Sequence, residues 1–404
     1  MKRWFGILIM IALLLTSCAV SPEESQNAAD APEGTQDHAQ SQPTQGEWLP
    51  ISQASLRQDY LETTQGIYYT VPKATGNSIG GQIHFLPKDG TQPFLLCGKP
   101  NCAHMGDYCN AWGGYTLAEC GGKIYTERYG WESEIIRMNP DGTDHETVCD
   151  YPTVQYPDGS ADGSGTCFAA GDQLLVFVEP NLTRPFEEQR STFFQIDLQT
   201  GETKEAFASL NEQYHLQPGE MRYAEGKLYC HVDLLQPNGS RETWMAELDP
   251  KTDGWRMLFP IEEYFAVWAV YGNTLYYLVE DTGFREYDLT TGETVDRGLP
   301  VADAKWASYD EDYIYLMGHD PAFDAWAKAA ETQTPYSGPD KSDHTLYILT
   351  RDYELIDQIL LPDGENLFYV TDDYLYFCAG YYGADCRLEK SQFGSGTLTL
   401  EPLQ

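Results

Sequence analysis

Positive charge is scarce in this sequence. Lys and Arg together number 25 against 62 Asp and Glu, which gives a formal net charge of −37. A protein that binds the phosphate backbone of DNA or RNA needs clustered basic residues to displace counterions, and no basic stripe occurs here. Attraction to anionic lipid headgroups requires similar clusters. We therefore exclude nucleic acid as a partner, and we exclude a charged patch as the means of membrane attachment.

Common catalytic motifs are also absent. The sequence contains no G-x-S-x-G, no H-E-x-x-H, no glycine-rich phosphate loop and no EF-hand calcium loop, and it has only 8 His. His319 and His344 flank one insertion and could approach each other and Asp320, but such a pairing is common by chance among 62 acidic residues. We favour a protein without catalytic activity, and an enzyme is the alternative.

Long apolar runs are missing apart from one near the start of the chain. Residues 7–15 form an apolar run behind two basic residues, and its length is too short for a membrane-spanning helix. Such a run is typical of a secretory signal. It ends in LTSC at residues 15–18, which resembles the lipobox of bacterial lipoproteins. That resemblance implies that residues 1–17 are a signal peptide and that the Cys18 thiol carries fatty acyl chains such as palmitate.

The acylation implied by the lipobox makes the membrane a partner and predicts a place on the extracytoplasmic side of the bacterial cell envelope. The alternative is a plain secreted protein in which Cys18 is incidental. Residues 19–47 have no aromatic residue and little apolar content, and such a segment cannot bury enough surface to offset chain entropy. We therefore predict an acylated, disordered tether over residues 18–47 and a folded domain over residues 48–404.

An internal repeat dominates the predicted folded domain. A turn residue followed by an aromatic-rich strand recurs seven times, as in GIYYTV from residue 66 and GKLYCHV from residue 226. A short apolar run precedes each copy. A third strand and a second tight turn follow, most clearly in the D-x-x-T-G-E segments that begin at Asp197 and Asp288. The unit is four antiparallel strands at intervals of roughly 40 to 60 residues, which is typical of a β-propeller blade.

We predict an all-β fold, a β-propeller of seven four-stranded blades, with six or eight blades as alternatives. One short helical insertion is expected in blade 6, where Asp320 and Pro321 can begin a helix and Phe323 and Trp326 fall on one apolar stripe. The domain resembles extracytoplasmic bacterial propeller lipoproteins of the TolB-like kind, including Gram-positive proteins with a similar cysteine-rich stretch. That resemblance implies the fold and assigns no catalytic residue.

The segments that join the strands differ between the two faces of such a disc. If the strands of each blade are labelled a to d from the axis outward, the a–b and c–d turns lie on one face, which we call the turn face. The b–c loops and the connections between blades lie on the other, the long-loop face. The long segments expected there are 98–114, 149–166, 180–191 and 318–343. Because long loops on a rigid scaffold often carry binding residues, we predict that this face binds a ligand.

We interpret the protein as a non-catalytic binding lipoprotein whose long-loop face holds a glycan, a peptide or a partner protein. The alternatives are an extracellular propeller enzyme of the polysaccharide lyase or glycoside hydrolase type, and a scaffold or sensor subunit of an envelope complex. Exposed aromatic rings offer rigid apolar area to sugars and peptides alike. The candidate ligand-binding residues are Trp112, Tyr129, Trp131, Phe323, Trp326 and Tyr336.

A cysteine-rich stretch with the pattern C-x4-C-x-H-x4-C contains Cys97, Cys102, His104 and Cys109, and Cys120 follows it. We favour disulfides among Cys97, Cys102, Cys109 and Cys120, which would cross-link a long loop. A zinc ion held by three thiolates and the imidazole is one alternative, although a Cys-x-His pair must bend sharply for both residues to bind one ion. Free thiols are the other alternative. No other cofactor is expected.

Further cysteines lie within the predicted strands. Cys378 and Cys386 fall on adjacent predicted strands on either side of a turn, and this spacing predicts a second disulfide. An extracytoplasmic compartment permits such bonds. Cys230 falls inside a predicted strand, and we interpret it as a buried apolar residue.

Overall fold

The structure of the protein is a computed structural model. It describes residues 47–403 except for 50–52, 54–59, 76–77, 105, 107–108, 129–132, 163–164, 179–182, 186–191, 214, 236–239, 262–264, 280–281, 302–303, 319–324, 326–328, 330–343, 363–364 and 379–382. Cys18 and the predicted signal peptide lie outside the described residues. Within the predicted helical insertion, Ala325 and Ala329 are described and both are helical. No helix in the described part of the chain is long and apolar enough to cross a membrane.

Seven antiparallel sheets of four or more strands follow one another along the chain, and a two-stranded sheet lies between the second and the third. Within each of the seven, neighbouring strands follow chain order, except that β6 of the first sheet pairs with β4. The protein is therefore a seven-bladed β-propeller, and the prediction of seven four-stranded blades is confirmed.

Blades 1 to 3 come from the first half of the described chain. Blade 1 contains β1 (Trp48–Leu49), β2 (Tyr60–Thr63), β3 (Gly66–Thr75), β4 (Ser78–Pro87), β5 (Phe94–Leu95) and β6 (Trp112–Gly113). Blade 2 contains β7 (Ala118–Cys120), β8 (Lys123–Arg128), β9 (Glu134–Met138) and β10 (Glu146–Asp150). A hairpin of β11 (Val154–Gln155) and β12 (Ala161–Asp162) follows. Blade 3 contains β13 (Gly165–Ala170), β14 (Gln173–Val178), β15 (Thr192–Asp197) and β16 (Thr203–Ala206), with helix α1 (Ala208–Gln213) after it.

Blades 4 to 7 complete the ring. Blade 4 contains β17 (His215–Ala224), β18 (Lys227–Leu235), β19 (Arg241–Asp249) and β20 (Gly254–Pro260), and blade 5 contains β21 (Phe265–Tyr271), β22 (Thr274–Val279), β23 (Gly283–Asp288) and β24 (Thr294–Gly298). Blade 6 contains β25 (Ala304–Tyr309), β26 (Tyr313–Gly318), β27 (His344–Thr350) and β28 (Leu355–Leu361). Blade 7 contains β29 (Asn366–Val370), β30 (Tyr374–Cys378), β31 (Cys386–Glu389), a 3-10 helix (Lys390–Gln392) and β32 (Glu401–Pro402).

Buried apolar clusters lie at the seams between neighbouring blades, one at each seam among the described residues. At the seam of blades 3 and 4, Phe177 and Phe193 share a cluster with Val232 and Leu248. The innermost strands of neighbouring blades also contact each other, as β13 does with β17. The inner strands are thus covered on both faces, which explains why their sequences are continuously apolar and aromatic rather than alternating.

Among the described residues, side chains close the ring between blade 7 and blade 1. Blade 1 consists of β1–β6 and blade 7 of β29–β32, so neither sheet takes a strand from the other. The Tyr60 ring lies 4.7 Å from the Tyr369 ring, and the Tyr60 hydroxyl donates a 2.9 Å hydrogen bond to the Val370 carbonyl. Arg387 donates a 2.8 Å hydrogen bond to the Lys88 carbonyl. The closure therefore depends on packing, on a few hydrogen bonds between side chain and backbone, and on an ion pair between Lys88 and Asp373.

The two faces of the disc differ in the way that the repeat predicts. On the turn face, β2 ends at Thr63 and β3 begins at Gly66, which is typical of the a–b turns. On the long-loop face, β26 ends at Gly318 and β27 begins only at His344. The hairpin of β11 and β12 is an addition to the long-loop face, since it lies in the connection between blades 2 and 3.

The N-terminal part of the described chain lies on the turn face. The Thr64 N–H, in the a–b turn of blade 1, donates a 2.9 Å hydrogen bond to the Glu47 carbonyl. Gln53 contacts blade 5, where its side-chain amide donates to the Val270 carbonyl and its oxygen accepts a 2.8 Å hydrogen bond from the Val270 N–H. Val270 lies near the end of innermost strand β21, so Gln53 satisfies backbone groups that the sheet leaves open. The predicted tether thus meets the disc on the turn face.

Candidate metal centre

The cysteine-rich stretch is an insertion in the outer strand of blade 1. Both β5 and β6 pair with β4, so they are two parts of one outer strand. The Leu96 N–H donates a 2.9 Å hydrogen bond to the Ile83 carbonyl, and the Ile83 N–H donates a 2.7 Å hydrogen bond to the Ala111 carbonyl. The chain leaves the sheet at Leu96 and returns at Ala111, opposite the same residue, as a very long β-bulge. The prediction that this stretch connects blades 1 and 2 is therefore wrong.

Four metal-ligating side chains converge in this loop. The Sγ atoms of Cys97, Cys102 and Cys109 and one ring nitrogen of His104 all lie within 4.8 Å of one another. Cys109 is buried and the other three residues are half-buried. The Nδ1 atom of His104 lies 3.8 Å from Cys109 Sγ, so the imidazole faces the sulfur atoms. Three thiols and an imidazole form a donor set that suits a tetrahedral metal ion.

Backbone N–H groups point at all three sulfur atoms. In each case one donor is the residue two positions after the cysteine, and these donors favour the thiolate over the thiol. The pairs are Lys99 with Cys97, His104 with Cys102 at 3.4 Å, and Ala111 with Cys109 at 3.3 Å.

Backbone turns of positive φ bring the four side chains together. Asn101 (φ 60°), His104 (φ 54°) and Gly106 (φ 68°) all adopt the left-handed region, which is uncommon for residues other than glycine. The His104 carbonyl accepts a 2.6 Å hydrogen bond from Gln82 Nε2, on β4. The sharp bend that a Cys-x-His pair needs is thus supplied by the His104 backbone and held by the neighbouring strand.

The sulfur atoms differ in how easily they ionise. Burial raises the pKa of the Cys97 thiol, but hydrogen bonds from the backbone of Lys99 and Asn110 and from the Cys109 and Cys102 side chains outweigh burial and lower that pKa to about 7. Burial raises the pKa of Cys109 to about 12, and the adjacent Cys97 sulfur adds to the increase. Ionisation of one sulfur therefore opposes ionisation of the next, and a bound dication would offset this repulsion.

The loop also contacts blade 2. His145, in the turn between β9 and β10, donates a 2.9 Å hydrogen bond from Nε2 to the Asn110 carbonyl. Burial lowers the pKa of His145, so this imidazole is neutral at pH 7. Cys109 and Ala111 belong to the apolar cluster at the seam of blades 1 and 2. The conformation of the loop is thus coupled to the packing between these two blades.

The predicted disulfides are absent from the described residues, because no disulfide bond joins any of the nine cysteines that the structure describes. Cys120 lies apart from the loop, on β7, and packs into the seam of blades 2 and 3. Cys386 pairs with Phe377 in the sheet, and Cys378 is the next residue after Phe377. Adjacent residues of a strand point to opposite faces, so Cys378 and Cys386 belong to different seams. The predicted bond between them is wrong for this reason, whereas Cys230 is buried as predicted.

Trp112 is a core residue, so its prediction as an exposed ligand-binding residue is wrong. Its side chain is 1% exposed, and a Cβ atom on Gly80 would lie 2.6 Å from the indole ring. The outer strand of blade 1 resumes at Trp112 and turns this side chain into the seam with blade 2. His344 is buried at the start of β27. The predicted residues outside the described part of the chain are Tyr129, Trp131, Phe323, Trp326, Tyr336, His319 and Asp320.

Comparison with known proteins is limited to solved structures, because no family model and no curated protein matches the sequence. The computationally designed protein Ika8 aligns with a TM-score of 0.41 at 9% identity, over 87% of this chain and 100% of that one. BamB from Moraxella catarrhalis aligns with a TM-score of 0.39 at 14% identity, over 89% of this chain and 99% of that one. The β-propeller domain of the Trilobed protease from Pyrococcus furiosus aligns with a TM-score of 0.43 at 11% identity, over 89% and 95% of the two chains. None of these similarities bears on what this chain binds.

Proposed function

We propose that the protein is a lipid-anchored binding protein of the bacterial cell envelope, which holds a partner macromolecule on its long-loop face. The asymmetry of the disc carries this proposal. The a–b turns on the turn face have two or three residues, whereas residues 179–191 separate β14 from β15 and residues 319–343 separate β26 from β27. A rigid scaffold that concentrates its insertions on one face presents its binding residues there.

The connection between blades 2 and 3 supports a defined surface on this face. β11 and β12 form a hairpin, and Tyr156 in that hairpin is buried. Arg184, from the b–c insertion of blade 3, lies over the Tyr156 ring with its guanidinium carbon 3.9 Å from the ring centroid. The same side chain forms an ion pair of 3.1 Å with Asp158. The cation–π contact and the ion pair thus join the hairpin between blades 2 and 3 to the b–c insertion of blade 3, so the exposed residues around them have fixed positions.

In this proposal, the turn face of the disc points toward the membrane. Glu47 bonds to the a–b turn of blade 1, so the chain that leads back to Cys18 departs from the turn face. Gln53 occupies the inner edge of blade 5 near that same face. Acyl chains on Cys18 would then hold the disc through a linker with a reach of roughly 30 Å, and its long-loop face would be free to meet a partner.

Photo-crosslinking on intact cells compares the two faces. In the full-length protein, we expect a crosslinking residue at Ser160, in the long-loop hairpin, to give roughly tenfold more adduct with a partner than one at Lys251, in a c–d turn of the turn face. Both positions are exposed, so solvent access does not favour either. Arg184→Ala should weaken the Ser160 adduct, because it removes the contacts that hold the hairpin. Equal or stronger adduct formation from Lys251 would contradict the proposed binding face.

Acylation of Cys18 is tested by metabolic labelling with an alkyne-tagged fatty acid. We expect the full-length protein to incorporate the label, and Cys18→Ser to lose it, because the serine hydroxyl replaces the thiol that would begin lipoprotein processing. Cys149→Ser is the matched control, since Cys149 is a half-buried cysteine of the propeller, and this variant should keep the label. Label on Cys18→Ser would rule out this residue as the acylation site.

A further inference from the structure

We propose that Cys97, Cys102, His104 and Cys109 bind one zinc ion, which closes the loop inserted in the outer strand of blade 1. The site is structural and leaves no coordination position for a substrate. The proposal is independent of the binding role of the long-loop face, so either can fail without the other.

The spacing of the donor atoms is close to that of a tetrahedral zinc site. With Zn–S bonds of about 2.3 Å and Zn–N bonds of about 2.0–2.1 Å, ligand atoms lie about 3.4–3.8 Å apart. His104 Nδ1 and Cys109 Sγ are 3.8 Å apart, and all four donor atoms lie within 4.8 Å of one another. A contraction of about 1 Å or less therefore brings the set to bonding distance, because the turns that assemble it are already formed.

A second observation is the direction of the backbone N–H groups around the sulfur atoms. Each of the three sulfurs accepts a hydrogen bond from the residue two positions after its cysteine. A neutral thiol has its own proton and is a weak acceptor, whereas a metal-bound thiolate accepts readily. Three N–H groups directed at three sulfurs are the arrangement expected around metal-bound thiolates.

The types of donor select the metal. The four side chains supply no oxygen ligand, and calcium and magnesium both require oxygen. Three thiolates within 4.8 Å of one another repel strongly unless a cation lies between them. Three sulfurs and one nitrogen fill all four positions of a tetrahedron, which is the pattern of a closed zinc site. An odd number of cysteines in the loop also leaves one sulfur over in any arrangement of disulfides within it.

The ion would hold together the two ends of the loop that is inserted in the outer strand of blade 1. Leu96 and Ala111 both pair with Ile83, and the loop between them is anchored to blade 1 by Gln82 and to blade 2 by His145. Because the unfolded chain lacks a formed site, the free energy of metal binding adds to the free energy of folding. Loss of zinc is therefore expected to loosen the outer edge of blade 1 and its seam with blade 2.

Mass spectrometry of the purified full-length protein tests the proposal. We expect the native mass to exceed the denatured mass by one zinc ion, and Cys97, Cys102 and Cys109 to be alkylated fully only after denaturation. Removal of the ion with a chelator should lower Tm by roughly 5 °C or more, and added zinc should restore it. A protein without bound metal, or one lighter by two hydrogens per disulfide at these cysteines, would overturn the proposal.

Matched variants and a spectroscopic substitute distinguish metal loss from misfolding. We expect Cys97→Ser and Cys109→Ser each to reduce zinc content about tenfold, and Cys149→Ser to retain it. Cobalt(II) exchanged into the unaltered protein should give thiolate charge-transfer bands and intense tetrahedral d–d bands, a readout that requires no variant to fold. Zinc retained in the double variant of Cys97 and Cys109, or a weak octahedral cobalt spectrum, would also overturn the proposal.

Discussion

Trp112→Ala is expected to lower the free energy of unfolding by about 3–5 kcal/mol, the usual cost of removing a buried aromatic side chain. Trp112 is 1% exposed and lies in the cluster that joins blades 1 and 2. The indole ring lies directly over Gly80, where a Cβ atom would be 2.6 Å from the ring. Because Gly80 has no side chain, few neighbouring atoms can move in to fill the cavity that the substitution leaves. Chemical denaturation of the full-length protein, followed by tryptophan fluorescence and circular dichroism, measures the change.

Two variants serve as controls for this prediction. Trp255→Ala removes a half-buried indole that donates a 2.9 Å hydrogen bond to Ser209, and we expect it to cost about 1–2 kcal/mol. Gly80→Ala keeps the indole and crowds it, with an expected cost of about 1–3 kcal/mol. A Trp112→Ala protein of unchanged stability and impaired ligand binding would restore the exposed-platform interpretation.

The blade architecture was predictable because its signals are local. Asp197 Oδ1 accepts N–H bonds of 2.9 and 2.8 Å from Gln199 and Thr200, and Asp288 Oδ1 accepts equivalent bonds from Thr290 and Thr291. These short-range contacts produce the turn that D-x-x-T-G-E predicts. Repetition of the same unit along the chain then indicates the blade count without knowledge of any long-range contact.

The position of Trp112 was not predictable in this way. It depends on β5 and β6 pairing with the same strand, although the whole cysteine loop separates them in the sequence. Hydrophobic periodicity relates only residues that are close in the sequence. The return of the chain to β4 at Ala111 therefore has no local sequence signal. The prediction therefore assigned the loop and Trp112 to a connection between blades.

The four side chains of the candidate metal centre were correctly grouped by their spacing, but the favoured disulfides among the cysteines are absent from the described residues. A Cys-x-His pair must bend sharply to direct both side chains at one ion, and the left-handed backbone of His104 supplies that bend. The Gln82 hydrogen bond that holds this conformation comes from another strand. Only Asn101 and Gly106, residue types that tolerate positive φ, gave a sequence indication of such turns.

We expect Glu62 to make the free energy of unfolding decrease as the pH rises from 5 to 8. This residue lies near the end of β2 in blade 1, beside blade 7, and is 6% exposed. Burial, and secondly the nearby Asp372 carboxylate, raise its pKa from 4.5 to about 8. Above pH 5 the unfolded chain loses this proton while the folded protein keeps it, so the unfolded state becomes more stable relative to the folded state as the pH rises. At about 1.4 kcal/mol per pH unit, we expect a loss on the order of 3–4 kcal/mol between pH 5 and pH 8.

Denaturation of the full-length protein and of Glu62→Gln at pH 5 and pH 8 isolates this contribution. Glutamine does not titrate, so we expect the difference in the free energy of unfolding between pH 5 and pH 8 to shrink by about 3–4 kcal/mol. Glu202→Gln, which changes an exposed acid on blade 3, should leave the difference as it is in the unaltered protein. An identical pH dependence in Glu62→Gln would mean that Glu62 is already ionised in the folded protein at pH 5.

Ring closure by side chains has a consequence for the synthesis of the protein. Blade 7 is the last blade to be synthesised, and until it arrives Tyr60 and Tyr69 lack the Tyr369 ring that covers them in the finished disc. A nascent chain that has completed only six blades thus carries an open aromatic flank. Translation that stops before Asn366 would leave this flank uncovered permanently, so truncated chains are expected to self-associate or to be degraded even though six of their blades are intact.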